Sequence, residues 1–434
     1  MQTSLEPIAK AARADKKKRF KSLYSFLNRV MFEKAYNDLN KNASAGIDKV
    51  TWREYGKNLE ANLLDLETRL KEKRYHARFV KRVLIPKGKN KFRPLGIPAL
   101  EEKIVQWVVR EILQSLFEPI FLNCSYGYRE NRSPRQASDA LWEKLMAGRY
   151  RWVVEADIRS FFDTIEHEKL LTMVEKRVND QALTRLIRKW LRAGIVLENG
   201  DIKYPEEGTV QGNIISPILA NIYLHYALDQ WFERTIKPGC KGQATLIRYA
   251  DDFVACFEHE RPATNFYKNL PNRFKGFGLE IAEEKTKKLK FNRFERESSE
   301  SFTFLGFVYT RDISRKGNHI VRRKTDKKKF RNKVQDFKKW CKENRHRRTR
   351  WIMEMVKSKM RGFRNYYGVS GNGGSINALI WHYTKILFKW LNRRSQRRSY
   401  NWDRFNELLK FYNVFSLRRL TCEGYQLNFL SCLA

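Results

Sequence analysis

The chain has 434 residues, 42% of them hydrophobic, including 11 Trp, 19 Tyr and 28 Phe, which is enough for the cores of two or three domains and excludes a disordered basic tail. Against 48 Asp and Glu stand 87 Lys and Arg, a formal charge of +39 that opposes compaction unless a polyanion binds; nucleic acid is the first candidate, because each neutralised phosphate releases counterions. Six cysteines without a CxxC pair or paired His spacing argue against a zinc site and a disulfide scaffold, and the lack of an apolar leader or a long uncharged run leads to the expectation of no membrane and a cytoplasmic location.

Residues 1–75 read as basic helices interrupted by the loop "NASAGIDKVT" (42–51). "RFVKRVLIPKGKNKFRPLGIP" (78–98) alternates apolar and basic residues on both sides of "GKN", which predicts a basic β-hairpin. A helix over 100–117 follows, then the loop "CSYGYRENRSPRQA" and another helix. "RWVVEADIRSFFDTI" (151–165) begins as a buried strand ending in Asp157 and leads into helices that run to about Gly194. "GTVQGNIISPILANIYLHYALDQWFE" (208–233) is a Gly-bearing loop, a proline near a helix start, and an amphipathic helix with Leu219, Ile222, Tyr223, Tyr226 and Leu228 on its apolar side. "TLIRYADDFVACF" (245–257) reads as two short strands with "ADD" at the turn. After a helix to about Phe277, a short basic strand and "SFTFLGFVYT" (301–310), the texture becomes densely basic. A helix is expected over 322–340, with Phe330, Val334, Phe337 and Trp340 on one side and Lys327, Lys328 and Arg331 on the basic faces, free for an RNA or RNA–DNA backbone. The remainder reads as helical, with Trp340, Trp351, Trp381, Trp390 and Trp402 spaced as in a small bundle.

Asp251 and Asp252 side by side are compatible with an ordinary solvated turn. A third carboxylate, Asp157, changes the reading, because its strand can hold it beside that hairpin. Three carboxylates converging in a basic protein are costly unless divalent cations sit between them, and two Mg²⁺ ions about 3.5–4 Å apart align in-line phosphoryl transfer, with Mn²⁺ as a possible substitute. The carboxylates alone do not separate a polymerase from a nuclease.

The order of the surrounding motifs does. Asp157 and an aromatic five residues on (Phe162), a Gln-Gly loop leading to "SP" and a helix, "YADD", "EEKT" and "FLGF" resemble the reverse transcriptase palm. With "SAGIDKVT", "RVLIPKGKNKFRPLGIP", "SYGYRENRSPRQA", "GTVQGNIISPILANIYLH" and "RGFRNYYG", the chain from about 40 to 400 resembles a group II intron-encoded reverse transcriptase/maturase. The resemblance implies an α+β right-hand polymerase: an N-terminal extension and fingers over 1–98, the remaining fingers and an antiparallel-sheet palm over 99–320, and a helical thumb or maturase domain over 321–434. It implies RNA-directed DNA synthesis from dNTPs on an RNA template, with group II intron RNA and a DNA primer or target as partners, and assistance to splicing and mobility in the bacterial cytoplasm or nucleoid. No oligomeric state follows from it.

Carried over to this sequence, Asp157, Asp251 and Asp252 bind the metals, Asp252 less directly. Lys87 and Arg93 grip the triphosphate, whereas Lys89 and Lys91 read as solvated charges. Phe162 excludes a 2′-hydroxyl, and Gln211 and Gly212 pack against the templating pair. Lys285 is either a proton donor to the leaving phosphate or a helix-end surface lysine. Phe304, Leu305 and Gly306 form the primer grip. Val210 stands where the family has proline, and Asn213 where it has a second glycine. Relatives with an endonuclease carry a cysteine-bearing module after the thumb; the closing "TCEGYQLNFLSCLA" does not match one, so an endonuclease-lacking type is expected. Two other readings keep most of these features: a free-standing or CRISPR-associated reverse transcriptase in phage defence or DNA repair, and an RNA-binding splicing cofactor with incidental polymerase activity.

Overall fold

A computed structural model describes residues 4–88, 91–295, 300–396 and 399–414. The chain divides into two compact units, one of Met1–Ser133, Ala156–Ala255 and Arg261–Lys288, the other of Pro134–Glu155, Cys256–Glu260 and Leu289–Ala434.

The first unit is built round the helix Leu100–Phe117, whose Ile104, Val105, Val108, Val109, Ile112 and Leu113 are fully buried. Its apolar face is too wide for one neighbour to cover, and Glu6–Ala14, Arg29–Asp38 and Ser216–Leu224 all pack on it. Local chemistry starts the N-terminal helices: Asn28 accepts from the Met31 N–H at 3.2 Å, and Thr51 with Glu54 closes a capping box at the end of the expected loop. The basic hairpin forms as expected, Val80–Gly88 pairing antiparallel with Lys91–Ile97 so that Ile85 faces Arg93. Two strands not foreseen, Ile195–Val196 and Ile202–Lys203, extend it to four strands. Two residues are too few to display a period of two.

The segment after the Gln-Gly loop differs from the amphipathic helix expected. Ser216–Leu224 passes into π-helical turns at His225–Asp229 and Phe232–Ile236, and it is buried on its polar side as well. Leu219, Ile222, Tyr223 and Leu228 are buried, but so are Asn221, His225 and Asp229, which find partners inside the protein. The aspartate hairpin consists of Ala244–Tyr249 and Asp252–Phe257, so Asp252 opens the second strand instead of sitting in the turn. Its strands belong to a sheet ordered Ala244–Tyr249, Asp252–Phe257, Trp152–Asp157, Lys287–Lys290, and Asp157 ends its strand as expected.

In the second unit, Phe302–Phe304, Phe307–Ile313 and His319–Thr325 form an antiparallel sheet covered by the helix Pro134–Met146. Arg322 to Thr325 therefore belong to a strand and not to the helix expected from residue 322: Val321, Arg323 and Thr325 alternate inward. The helix starts at Lys327, where the Asp326 carboxylate accepts from the Lys329 N–H at 2.8 Å, and runs to Asn344. It joins Thr349–Tyr367, Gly373–Leu391 and Trp402–Phe411 round a core of Phe337, Met353, Val356, Leu379, Tyr383 and Leu387. The bundle is as expected but its tryptophans are peripheral; Trp351, Trp381 and Trp402 are exposed.

Candidate active site

The turn that carries Asp251 is held from beneath by one arginine. Arg248 is fully buried and uses all five N–H groups: Nε and Nη2 meet the two oxygens of buried Asp229 at 2.7 and 2.6 Å, Nη1 meets Asn221 Oδ1 at 3.1 Å and the Ala250 carbonyl at 3.0 Å, and Nη2 also meets Ser125 Oγ at 2.8 Å. Ala250 has φ +56°, a left-handed conformation that costs a non-glycine residue roughly 1–2 kcal/mol and persists where its surroundings enforce it. The Arg248–carbonyl bond is one such constraint. Gly127 is another: a β-carbon there would stand 2.4 Å from the Ala250 nitrogen.

Asp157 lies at its strand end, its carbonyl accepting from the Ala282 N–H at 2.9 Å, and its carboxylate is bound by the ammonium of Lys285. That hydrogen bond, with further attraction from Asp157 and Asp251, raises the Lys285 pKa above the ordinary lysine value. One cation is thus stabilised by both carboxylates. Among the described residues no three His, Cys, Asp or Glu side chains are close enough to hold an ion as they stand. The donors nonetheless fit a hard divalent cation: they are carboxylate oxygens, and the Asp157 carboxylate already binds a cationic group, the Lys285 ammonium.

Beside Asp251 opens a cleft of about 370 Å³ lined by Arg93, Tyr128, Phe162, Gln211 and Gly212 among others. Phe162 lies in the helical turn Phe161–Asp163, with Phe161 buried beneath it and the rings 5.5 Å apart. The Gln211 loop is pinned to this turn and to the hairpin: the Thr209 N–H donates to the Phe162 carbonyl at 2.6 Å, and the Gly96 N–H donates to the Gln211 carbonyl at 2.6 Å. Gly212, at φ +114°, leaves no room for a side chain against Gly96.

Four of the expected nucleotide-contacting residues, Arg93, Phe162, Gln211 and Gly212, therefore meet in one cleft with Asp251. The Lys87 side chain lies outside the described residues, as do Lys89 and the Lys91 side chain. Leu305 and Gly306 form the turn of the hairpin in the second unit, at φ +50° and +80°; Phe304 is fully buried, and Tyr366 Oη donates to the Leu305 carbonyl at 2.8 Å. Lys327, Lys328 and Arg331 are exposed on the first turns of their helix. The closing segment after Leu420 lies outside the described residues. Sequence reading missed Tyr128 and Arg248. Arg248 adjoins the aspartate motif, and a charged residue within a strand-forming run was the available signal.

A family model described as "Reverse transcriptase (RNA-dependent DNA polymerase)" matches residues 85–309. The group II intron-encoded protein LtrA of Lactococcus lactis subsp. cremoris is 37% identical over 223 residues, 51% of this chain and 37% of LtrA. Protein YkfC of Escherichia coli K12 is 34% identical over 237 residues, 48% of this chain and 62% of YkfC, so the chain matches less than two thirds of the length of either relative. A solved telomerase from Candida albicans, in complex with a fragment of telomeric RNA, aligns over 84% of this chain and 67% of its own at 13% identity and TM-score 0.43. No helix among the described residues is long and apolar enough to cross a membrane. With more than half of its length matched by the family model, and with that model's span containing the three aspartates and the cleft, the chain belongs to the reverse transcriptase (RNA-dependent DNA polymerase) family.

Proposed function

We propose that the chain is an RNA-directed DNA polymerase of the group II intron type, copying an RNA template from a DNA primer with dNTPs and assisting the splicing and mobility of an intron RNA. The observation that carries this reading is the cleft beside Asp251, which combines a cation, an aromatic wall and a glycine-backed loop next to a carboxylate. The intron assignment is supported by LtrA, a group II intron-encoded protein by name. The formal charge of +39 suits an RNA partner.

In this reading residues 1–98 are the N-terminal extension and fingers, 99–320 the remaining fingers and palm, and 321–434 the thumb and maturase domain. Asp157, Asp251 and Asp252 hold two Mg²⁺ ions, with Mn²⁺ able to substitute. Such ions, when bound, activate the attacking hydroxyl and neutralise charge on the leaving pyrophosphate. The forked guanidinium of Arg93, with Lys87, grips triphosphate oxygens. Phe162 excludes a 2′-hydroxyl by volume, and Gln211 and Gly212 pack against the templating pair. Lys285 releases Asp157 and carries a proton toward the leaving phosphate. Phe304, Leu305 and Gly306 form the primer grip. Phe304 is buried, so its backbone and the turn make the contact. Lys327, Lys328 and Arg331 bind the RNA backbone.

Primer extension by the purified chain on an RNA template tests the chemistry, and sequencing of copurifying RNA tests the partner. The expected results are Mg²⁺-dependent DNA synthesis, a sharp rise in the NTP to dNTP ratio of kcat/KM in Phe162→Ala, and one structured intron among the bound RNAs. No synthesis, or a bound population of unrelated RNAs, would contradict the respective halves of the reading.

A further inference from the structure

Tyr128 stands in the cleft with a backbone conformation that disfavours tyrosine. Its φ is +56°, in the left-handed region where the β-carbon crowds the following carbonyl and where glycine or asparagine fits with less strain. Both flanks of the residue are clamped. On one side the Tyr126 N–H donates to the Arg248 carbonyl at 2.9 Å, the Arg248 N–H donates to the Cys124 carbonyl at 2.7 Å, and the Gly127 carbonyl accepts from Asn221 Nδ2 at 2.7 Å. On the other, Arg129 is buried and donates to the Leu122 and Ser125 carbonyls at 2.8 Å each and to Glu118 at 2.7 Å. Between these clamps the Tyr128 side chain is 47% exposed, and it lines the cleft with Arg93, Phe162 and Asp251. A strained, bulky, half-exposed ring has little to offer packing that a smaller residue would not.

We propose that Tyr128 is a nucleotide-binding residue, its ring forming a wall of the pocket against the sugar and base of the incoming dNTP. The assignment rests on the polymerase reading above. An aromatic face suits this task because it contacts every base without reading its edge, as a templated enzyme requires. The neighbouring groups divide the rest of the ligand: Arg93 suits the phosphates and Asp251 the reacting end. The ring is the working part, and the hydroxyl is dispensable.

The test uses Tyr128→Asn, Tyr128→Gly and Tyr128→Phe in the full chain, with three readouts: dNTP KM in single-nucleotide extension on an RNA template, Kd for the primer–template duplex, and Tm. Asparagine and glycine both accept the backbone conformation, so their Tm is expected to stay at the parent's. Their dNTP KM is expected to rise about tenfold, within the range of a lost base–aromatic contact, with an unchanged primer–template Kd, while phenylalanine stays within about twofold of the parent. A parental KM in the Asn and Gly variants overturns the assignment, as does a change confined to primer–template Kd, which would place the ring on the template. A clear fall in Tm in both would make the ring a packing element. If the parent chain extends no primer, the polymerase reading itself fails, and Tyr128 with it.

Discussion

Gly212 lies so close to Gly96 that a β-carbon on it would stand 2.2 Å from the Gly96 carbonyl oxygen, and a β-carbon on Gly96 would stand 2.1 Å from Val210 Cγ1. The loop bearing Gln211 and the strand bearing Arg93 are thus locked together by two absent side chains. Gly212→Ala meets backbone at a conformation disfavoured for alanine, so it is expected to destabilise by about 2–3 kcal/mol and to abolish most primer extension. Gly96→Ala meets only side chains, those of Val210 and Val80. Adding Val210→Ala to Gly96→Ala should therefore recover part of the loss, measured as denaturation midpoint and as kcat/KM, whereas it should do nothing for Gly212→Ala.

The Arg248–Asp229 pair has both side chains fully buried. Removing one charge strands the other without water, and breaking such a pair typically costs about 3–5 kcal/mol. Asp229→Asn is expected to lower stability by roughly that amount. Because counterions do not reach the pair, the loss should be the same at low and high salt. Denaturation at two ionic strengths checks both statements; a loss that shrinks with salt would contradict them.

Acid should weaken the same region. His225 is buried among Phe121, Tyr226 and Gln230, and burial pushes its pKa down from 6.5 to about 4. Below pH 6.5 the unfolded chain takes up a proton that the folded chain refuses. Stability present above that pH is therefore lost progressively as the pH falls towards about 4. The expected loss is on the order of 2 kcal/mol between about pH 7 and pH 5. His225→Phe should remove this part of the slope, which denaturation across the range would reveal.

Lys327, Lys328 and Lys329 occupy the first turn of their helix, where the macrodipole disfavours positive charge. Replacing Lys327, Lys328 and Arg331 with Gln should leave Tm unchanged or slightly raised. RNA affinity should fall with a shallower salt slope, because phosphate partners are lost. Filter binding at several salt concentrations measures this; parental affinity and slope would mean that the RNA is held elsewhere.

Much of this was legible in the sequence because it is written in local patterns. Alternation gave the basic hairpin, and an apolar run ending in Asp157 gave a strand with a carboxylate at its tip. What escaped was set by tertiary packing. Asn221, His225 and Asp229 fall on the polar side of an amphipathic helix, yet they are buried, because Arg248 reaches Asn221 and Asp229 from a neighbouring strand and Gln230, five residues on, meets His225. Arg322 to Thr325 read as helix, yet pairing with Phe307–Ile313 makes them strand. Tyr128 was invisible as a site residue because its position depends on clamps to Arg248 and Glu118, which no spacing along the chain reveals.

In the proposed function Asp251 serves metal-assisted polymerisation while dispersed cations hold the RNA. Comparing the parent chain with Asp251→Ala separates the two roles, with primer extension on an RNA template with Mg²⁺ and RNA affinity as the readouts. Extension is expected to fall by at least about a thousandfold, with RNA affinity equal to the parent's or higher because a negative charge has been removed. Near-parental extension by Asp251→Ala, at undiminished RNA affinity, would contradict the account.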